Sequence, residues 1–320
     1  MKLGLLDDYQ GVALVMADWS ALVGRAEIEV FREPFADLDA AAAALAEFDI
    51  LCIMRERLRF PGALIERLPR LKCLITTGSY NAAIDLAAAT ARGVIVCGTT
   101  NGPGTTATAE LAWGLVLAAV RQLPREDRAV RHGQWQTGLG RLVEGRTIGL
   151  IGLGAVGSVV ARYAAAFGMR MLAWSPNLTA ERAAEFGARR VDKEVLLRES
   201  DIVSLHIVLS DRTRGLIGAR ELALMRRSAV LVNTSRGPLV DEAALVTALA
   251  EGRIAGAALD VFDHEPLPAG HPLRGCADRV VLTPHIGYVT EEVYRVFYRD
   301  TAEAARAFLD GKPIRVLNPT

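Results

Sequence analysis

The sequence of 320 residues has few cysteines and no close pair of them. The four are Cys52, Cys73, Cys97 and Cys276, and no two follow the CxxC spacing of zinc sites and redox motifs. Three of them stand in apolar runs, which is typical of buried thiols in a reducing compartment. A disulfide framework is therefore excluded as an interpretation, and we expect no metal site.

The sequence also lacks an excess of charge of either sign. Lysine plus arginine and aspartate plus glutamate both number 37, so the formal net charge is zero. Non-specific binding to nucleic acid depends on positive charge, and this balance argues against it.

No apolar run is long enough to cross a membrane. The most helical one, Leu111–Val120, is closed by Glu110 and Arg121 and is far shorter than the roughly 20 residues that a spanning helix needs. At the N-terminus, Asp7 and Asp8 come too early for a signal peptide. We therefore expect a cytoplasmic protein that binds neither a membrane nor nucleic acid.

Short runs rich in valine, isoleucine and leucine alternate with longer segments of helical pattern. Most of the short runs are almost continuously apolar, as expected for parallel strands that are covered on both faces. The candidate strands are Lys2–Leu6, Ile50–Met54, Leu71–Thr76, Val94–Cys97, Thr147–Ile151, Met171–Trp174, Ile202–Ile207, Ala229–Asn233, Ala255–Val261 and Val280–Leu282. The alternation predicts an α/β fold with two doubly wound parallel-sheet lobes.

A loop of turn-forming residues, Asn101–Gly104, predicts a domain boundary. Two long segments of apolar periodicity, Thr105–Arg121 and Glu291–Leu309, are each long enough to connect two lobes. We therefore predict that a middle domain, residues 102–288, is inserted into an outer domain made of residues 1–101 and 289–320. The length of the chain also favours two domains over one.

The clearest local motif is GLGAVG at residues 152–157. A lone GxGxxG motif is weak evidence for dinucleotide binding. This one, however, follows the strand Thr147–Ile151 and begins an amphipathic helix, which is the context of a dinucleotide-binding turn. Its glycines permit a tight turn, a close approach to a pyrophosphate and close helix–strand packing, and the helix N-terminus favours phosphates. The alternative is a glycine-rich turn without a ligand. We predict that a dinucleotide contacts Gly152, Gly154, Ala155, Val156 and Gly157.

The acidic residue that would bind the ribose 2′-hydroxyl, about 20 residues further on, is missing. The strand Met171–Trp174 continues into Ser175-Pro176-Asn177, and the nearest arginine that could receive a 2′-phosphate is Arg182. We expect Ser175 and Asn177 to bind the ribose through neutral hydrogen bonds. The choice between NAD and NADP stays open, with a slight preference for NAD.

Three polar residues follow three strands in the second half of the chain. Arg236 follows Ala229–Asn233, Glu265 follows Ala255–Val261, and His285 follows Val280–Leu282. Ligands of open α/β sheets bind beyond the carboxyl ends of the strands.

These three residue types suit the oxidation of a hydroxy acid. An arginine can grip a carboxylate in bidentate fashion, and a histidine can accept the hydroxyl proton as hydride leaves carbon 2. A carboxylate can orient the imidazole and stabilise its charged form. Taken one at a time, the three are equally compatible with a solvated charge, a turn residue and a structural histidine. His264 is a competing base in a charged, proline-rich loop.

Taken together, these blocks resemble the D-isomer-specific 2-hydroxyacid dehydrogenase family, which includes D-3-phosphoglycerate dehydrogenase and glyoxylate/hydroxypyruvate reductases. The resemblance covers nearly the whole chain. Its most specific stretches are Gly149–Gly157, Leu231–Asp241, Ala257–Pro266 and Leu282–Gly287.

The resemblance implies roles for individual residues. Arg236, Glu265 and His285 correspond to the family's substrate arginine, paired acid and acid–base histidine. Further residues implied to line the cofactor are Thr108, His206, Thr234, Ser235 and Asp260, the last beside the nicotinamide carboxamide. The family holds the substrate carboxylate with loop N–H groups, which makes Gly78 and Ser79 candidates, and Arg55 is a weaker one.

The resemblance also implies a Rossmann nucleotide-binding domain inserted into a flavodoxin-like substrate domain, and homodimerisation through the nucleotide-binding domain. Two departures favour a generic member over a serine-pathway enzyme: Tyr288 replaces a second glycine, and the chain stops at Thr320 without a regulatory domain. Glu265 argues against a formate dehydrogenase, which has glutamine at that position.

The predicted reaction is the reversible interconversion of a D-2-hydroxy acid and its 2-oxo acid with NAD or NADP. A rival function from another class is a non-catalytic, NAD-sensing binding protein like the corepressors that share this fold. A complete set of arginine, glutamate and histidine favours turnover.

Overall fold

The structure, a computed structural model, describes residues 1–276 and 278–318. The strands are β1 (Lys2–Leu5), β2 (Glu27–Val30), β3 (Ile50–Ile53), β4 (Cys73–Thr76), β5 (Ile95–Cys97), β6 (Thr147–Ile151), β7 (Arg170–Trp174), β8 (Arg189–Arg190), β9 (Ile202–Leu205), β10 (Val230–Asn233), β11 (Gly256–Leu259) and β12 (Val280–Leu282). The α-helices are α1 (Leu38–Leu45), α2 (Gly62–Ile65), α3 (Leu86–Ala91), α4 (Gly104–Val120), α5 (Leu123–Arg131), α6 (Ala155–Ala166), α7 (Ala180–Ala184), α8 (Lys193–Glu199), α9 (Ala219–Leu224), α10 (Glu242–Ala250) and α11 (Glu291–Leu309). Short 3₁₀ helices span Ser20–Leu22, Gly237–Leu239 and Pro272–Gly275.

The chain divides into two compact units. The first comprises Met1–Pro103 and Thr290–Thr320, and the second comprises Gly104–Val289. The two boundaries fall two residues and one residue later than the sequence pattern predicts. Helix α4 belongs entirely to the second unit and α11 entirely to the first.

The first unit contains a five-stranded parallel sheet in the order β2-β1-β3-β4-β5. This is the flavodoxin-like order of doubly wound sheets. Strands β3 and β4 are buried along their whole length, because their side chains are covered on both faces. On one face, Leu51, Ile53 and Leu74 pack with residues of α1 and α2.

The second unit contains a seven-stranded parallel sheet in the order β12-β11-β10-β9-β6-β7-β8. Numbered from β6, this is the Rossmann order with one further strand, and the order reverses between β6 and β9. Alternate residues of one strand enter two different cores: Val230 and Val232 pack with α4 and α6, whereas Leu231 packs with α8 to α10. Two layers of helices therefore cover the sheet, and the predicted α/β class with two doubly wound sheets is confirmed.

All ten strands predicted from the sequence are present, and none of their ends differs by more than two residues. Two edge strands, β2 and β8, are not among the predictions. Among the described residues, no helix has both the length and the apolar character that crossing a membrane requires.

Candidate active site

The glycine-rich turn joins β6 to α6 at the point where the strand order reverses. Gly152 has a left-handed backbone (φ +97°), and a Cβ there would lie 2.4 Å from the carbonyl oxygen of His206. A Cβ at Gly157 would lie 2.2 Å from the carbonyl oxygen of Gly152, so the helix begins against the turn at a distance that only glycine allows. A Cβ at Gly154 would meet nothing within 4 Å, which leaves this face of the turn open.

A cavity of about 480 Å³ opens beside this turn. It brings together five of the predicted cofactor residues from the ends of β6, β7 and β9: Gly152, Gly154, Ser175, Asn177 and His206. Residues that the sequence reasoning did not select complete the lining, namely Leu153, Leu178, Thr179, Ile207 and Val208. Of these, Thr179 could have been selected from the sequence, because a threonine directly before a helical segment is a typical N-cap residue. In the structure its hydroxyl accepts a hydrogen bond from the Arg182 N–H at the start of α7.

The cavity has no carboxylate among its lining residues, and its end beside β7 is where the sequence predicts the ribose. Ser175, Asn177 and Thr179 supply neutral polar groups, and Arg182 supplies the positive charge. The guanidinium of Arg182 forms an ion pair with Glu185 and lies 4.5 Å from the centroid of the Phe186 ring. A 2′-phosphate would have to compete with Glu185 for this arginine.

Two predicted cofactor residues carry buried polar atoms that no hydrogen bond satisfies within the described chain. They are Nδ1 of His206 and Oγ1 of Thr234. Burial lowers the pKa of His206 to about 4, so the imidazole is neutral at pH 7, and its Nε2 lies 2.9 Å from the Ser204 hydroxyl. Unsatisfied buried polar atoms are costly, and a polar ligand would satisfy them. The open glycine turn and these two atoms fit a dinucleotide.

Other predicted cofactor residues have structural partners in the second unit. The Ser235 hydroxyl donates to the carbonyl oxygen of Leu205 (2.8 Å), which ties the loop after β10 to β9. The Thr108 hydroxyl donates to the carbonyl oxygen of Gly104 (2.8 Å) within α4. A Cβ at Gly287 would lie 3.3 Å from both Thr108 and Asp260, so these three residues are neighbours.

The predicted histidine and glutamate form a close pair. Nδ1 of His285 lies 2.6 Å from Oε2 of Glu265, and the two side chains are 21% and 30% exposed. The other carboxylate oxygen of Glu265 accepts a hydrogen bond from the Phe262 N–H (2.8 Å). The glutamate is therefore held in place, and it orients the imidazole through one ring nitrogen.

Asp260 holds the loop that carries His285. Its Oδ1 accepts hydrogen bonds from the Thr283 hydroxyl (2.6 Å) and the Ile286 N–H (2.8 Å), and its Oδ2 accepts one from the Gly287 N–H (2.9 Å). Burial raises the pKa of the Asp260 carboxyl group, while these donors and the charge of His285 oppose that shift. The loop needs such an anchor, because His285 has a left-handed backbone (φ +54°), which is unfavourable for a residue with a side chain.

Arg236 follows β10, Glu265 follows β11 and His285 follows β12, and these three strands are neighbours in the sheet. Parallel strands end at one edge, so the three residues follow the same edge of the sheet. The guanidinium of Arg236 donates to the carbonyl oxygen of Ser235 (2.7 Å), and the Arg236 carbonyl oxygen accepts from the Asn233 amide (2.9 Å).

Two other histidines lie in the same part of the chain. His264, the competing base, is exposed, and Glu265 pairs with His285 instead. The second is His271, which sequence reasoning did not select: its Nε2 lies 3.2 Å from Glu242, and its Nδ1 accepts the Leu273 N–H at 3.3 Å. His271 is thus the N-cap of a 3₁₀ helix, and both of its nitrogens have structural partners.

In the first unit, the predicted substrate residues follow β3 and β4. Gly78 has a left-handed backbone (φ +94°), and a Cβ there would lie 2.1 Å from a guanidinium nitrogen of Arg55. The Gly78 N–H donates to the Thr99 hydroxyl (2.7 Å), and the Ser79 N–H donates to Oδ1 of Asn101 (3.3 Å). Both loop N–H groups therefore have partners inside this unit, whereas the guanidinium of Arg55 lies directly against the loop.

Comparison with known proteins identifies the family. The model for "D-isomer specific 2-hydroxyacid dehydrogenase, NAD binding domain" matches residues 113–287. A glyoxylate reductase of Aeropyrum pernix is 45% identical over 260 residues, which are 78% of this chain and 76% of that protein. A glyoxylate reductase of Thermococcus litoralis is 41% identical over 298 residues, 89% of this chain and 88% of that protein.

Solved structures agree with this result over almost the whole chain. A putative D-3-phosphoglycerate dehydrogenase oxidoreductase from Ralstonia solanacearum has a TM-score of 0.92 at 37% identity, with 99% of this chain and 97% of that chain covered. A D-lactate dehydrogenase from Aquifex aeolicus, complexed with NAD and lactic acid, has a TM-score of 0.79 at 25% identity, with 99% and 100% covered. An acyclic imino acid reductase in complex with NADPH and D-Arg has a TM-score of 0.75 at 29% identity, also with 99% and 100% covered. The chain belongs to the D-isomer specific 2-hydroxyacid dehydrogenase family of oxidoreductases, whose cofactor is a nicotinamide dinucleotide.

Proposed function

We propose that this enzyme interconverts a D-2-hydroxy acid and its 2-oxo acid, with His285 and Glu265 as the acid–base pair and Arg236 as the substrate anchor. The observation that carries the proposal is the 2.6 Å contact between His285 and Glu265 at the edge of a sheet that also carries a dinucleotide-type turn. An anchored carboxylate on one nitrogen of an imidazole leaves the other nitrogen for a substrate proton.

A reduced nicotinamide supplies the hydride to carbon 2 of the oxo acid. In this direction, His285 in its protonated form donates a proton to the carbonyl oxygen of the substrate. Glu265 stabilises the imidazolium before the transfer, and its bond from the Phe262 N–H keeps the carboxylate in position. In the oxidative direction the neutral imidazole takes the hydroxyl proton. Arg236 binds the carboxylate of the substrate through its planar fork of N–H donors.

We assign nucleotide binding to the second unit, which also carries Arg236, and the remaining candidate substrate contacts to the first. The candidates in the first unit all have partners there: the N–H groups of Gly78 and Ser79 donate to Thr99 and Asn101, and Nε of Arg55 lies 3.8 Å from Glu56. The guanidinium of Arg55 lies against Gly78 and brings positive charge to this loop, which favours an anion there. The loop N–H groups can contribute only if they exchange their present acceptors.

For the cofactor we propose NAD with modest discrimination against NADP. Ser175 and Asn177 carry no charge and can donate hydrogen bonds to a 2′-hydroxyl or to a 2′-phosphate, and Arg182 is engaged by Glu185. The ratio of kcat/KM values with NADH and NADPH should therefore stay below about a thousandfold, which corresponds to about 4 kcal/mol. A larger preference in either direction would contradict this reading of the cavity.

We further propose that the protein is a cytoplasmic homodimer that associates through the second unit. Large apolar side chains in and beside α5 are exposed there: Leu123, Val130, Trp135, Leu139 and Leu142. A groove of about 510 Å³, lined by Leu117, Val120, Leu142 and Phe167 among others, lies on the same unit. The groove is also lined by Arg121, Arg141 and Glu144, so it offers both apolar and charged groups beside the exposed apolar side chains. Such a surface suits an isologous contact between two copies. Light scattering of wild type and Trp135→Glu tests this, with a dimer expected only for wild type.

The test of function is a screen of 2-oxo acids, starting with glyoxylate because the two curated relatives described above carry that substrate in their names. Consumption of NADH and NADPH is followed by absorbance, and chiral analysis of the product establishes the D configuration where the product has a stereocentre. Binding of NADH without turnover of any 2-oxo acid would instead favour the non-catalytic, NAD-sensing alternative.

A further inference from the structure

We propose that Tyr288 is a positioning residue for catalysis: its ring packs edge to face against the His285 imidazole and fixes the plane in which that imidazole presents its second nitrogen. This inference rests on the acid–base role proposed above for His285.

The backbone after His285 brings Tyr288 back towards the histidine. The Val289 N–H donates to the carbonyl oxygen of Ile286 (2.9 Å), which closes a turn over residues 286–289. The N–H groups of Ile286 and Gly287 are bound to Asp260. The approach of the tyrosine to the histidine is thus built into the same anchored loop.

The two rings form a T-shaped pair. Their centroids are 5.6 Å apart and their planes are inclined by 75°, which is the favourable geometry of aromatic pairs. Tyr288 is only 8% exposed, so its own ring is held by surrounding atoms. Few orientations of the imidazole are compatible with a fixed ring at this distance and angle.

The imidazole needs this second contact because the hydrogen bond to Glu265 constrains only one ring atom. With Nδ1 bound at 2.6 Å, the ring can still swing about that bond, and a swing displaces Nε2, the nitrogen that must meet the substrate. The flat face or edge of an aromatic ring limits the swing, whereas an aliphatic side chain of similar size does not fix a plane. The contacts with Glu265 and Tyr288 together therefore fix the orientation of the imidazole, which the hydrogen bond to Glu265 alone does not.

The consequence for turnover is specific. Loss of the aromatic ring should lower kcat by about 2- to 10-fold, the range that an edge-to-face pair contributes. The KM for the 2-oxo acid and the dissociation constant for NADH should stay within twofold of wild type, because Tyr288 acts on the orientation of His285 and not on the binding of either molecule.

The experiment compares Tyr288→Leu, which removes the ring, with Tyr288→Phe, which retains it. Tyr163→Leu is the matched control, because Tyr163 packs against Trp113 elsewhere in the same unit, with 6.4 Å between ring centroids. We expect the loss of kcat in Tyr288→Leu alone, with melting temperatures measured for all three. An equal loss in Tyr288→Phe would assign the effect to the hydroxyl group and overturn the proposal, as would wild-type kcat in Tyr288→Leu.

A second readout does not depend on turnover. The chain has five histidines, so the imidazole C–H signals of His285 can be assigned by NMR from the spectrum that loses them in His285→Gln. The ring current of Tyr288 should shift these signals in wild type and in Tyr288→Phe, and the shift should disappear in Tyr288→Leu. Unchanged His285 signals in Tyr288→Leu would overturn the proposal. Absence of activity on every 2-oxo acid would defeat the proposed function and would leave this measurement to decide the role of Tyr288.

Discussion

Replacement of Asp260 by asparagine tests how His285, the proposed acid–base residue, is held. The carboxylate is almost fully buried and accepts three hydrogen bonds, two at Oδ1 and one at Oδ2. Asparagine has a single acceptor oxygen, and its NH₂ group must face an N–H or O–H donor. If the side-chain oxygen in Asp260→Asn keeps its hydrogen bonds from Thr283 and Ile286, the new NH₂ group faces the Gly287 N–H. Two donors then meet, and the Gly287 N–H has lost its acceptor.

The cost follows from these contacts. A buried N–H that loses its acceptor costs about 1–3 kcal/mol, and here the lost bond is to a charged group. The same change releases a loop in which His285 already has a left-handed backbone. Misplacement of a catalytic group by about 1 Å can lower a rate by about a hundredfold. We therefore expect kcat to fall by about 10- to 100-fold and the melting temperature to fall with it.

The assay is steady-state reduction of glyoxylate, or of the best 2-oxo acid from the screen, at saturating cofactor, with NADH affinity measured by fluorescence. Asp263→Asn is the matched control, because Asp263 is exposed on the same segment. Wild-type kcat and melting temperature in Asp260→Asn would refute the reasoning. A weaker NADH affinity with unchanged kcat at saturation would show that Asp260 acts on the nicotinamide carboxamide and not through the loop.

The remaining predictions concern three other charged residues. Glu265→Gln keeps the shape but removes the charged partner of the His285 ring, so reductive kcat should fall by about tenfold or more, and wild-type kcat would make Glu265 a turn residue. Arg236→Lys keeps the charge but loses the bidentate fork, so kcat/KM should fall by about tenfold or more, and wild-type activity would make Arg236 a surface charge. Burial raises the pKa of Asp7 to about 6, so the ionised carboxylate opposes folding above that pH, and the cost disappears below the ordinary value of 3.8. Asp7→Asn, at a left-handed position that asparagine tolerates, should therefore stabilise the protein by roughly 3 kcal/mol at most at pH 8 and not below pH ~4, which thermal melts at both pH values will check.

The central strands of both sheets could be predicted because burial on both faces makes them continuously apolar. Strands β3 and β9 are buried at every position. The two unpredicted strands are edges: β2 (EIEV) alternates acidic and apolar residues and is only partly buried, and β8 consists of two exposed arginines. An edge strand forms hydrogen bonds to one neighbour only and is less buried, so its composition does not distinguish it from a loop.

The residues of the candidate site could be chosen from the sequence, but their contacts could not. Parallel strands bring Arg236, Glu265 and His285 to one edge of the sheet, and the alternation of strands and helices predicts parallel strands. The loop conformations do not follow from it. The bonds from Gly78 and Ser79 to their side-chain acceptors, and the three bonds to Asp260, form only when segments distant in sequence meet. The order of residue types along the chain does not predict hydrogen bonds between segments that are distant in sequence.

Two histidine–carboxylate pairs of the second unit differ in what the second ring nitrogen contacts, and this difference separates a structural histidine from a candidate acid–base residue. His271 lies 3.2 Å from Glu242 and His285 lies 2.6 Å from Glu265, so pairing alone would nominate both as acid–base residues. His271, however, uses its other nitrogen to accept a backbone N–H at the start of a 3₁₀ helix, and both nitrogens are thereby committed to the fold. Within the described residues, the hydrogen bonding of the His285 ring is confined to Nδ1, and the ring is further limited by a neighbouring aromatic ring. An imidazole can transfer a substrate proton only if one nitrogen is oriented by the protein and the other is left to the substrate, and of the two paired histidines that condition selects His285.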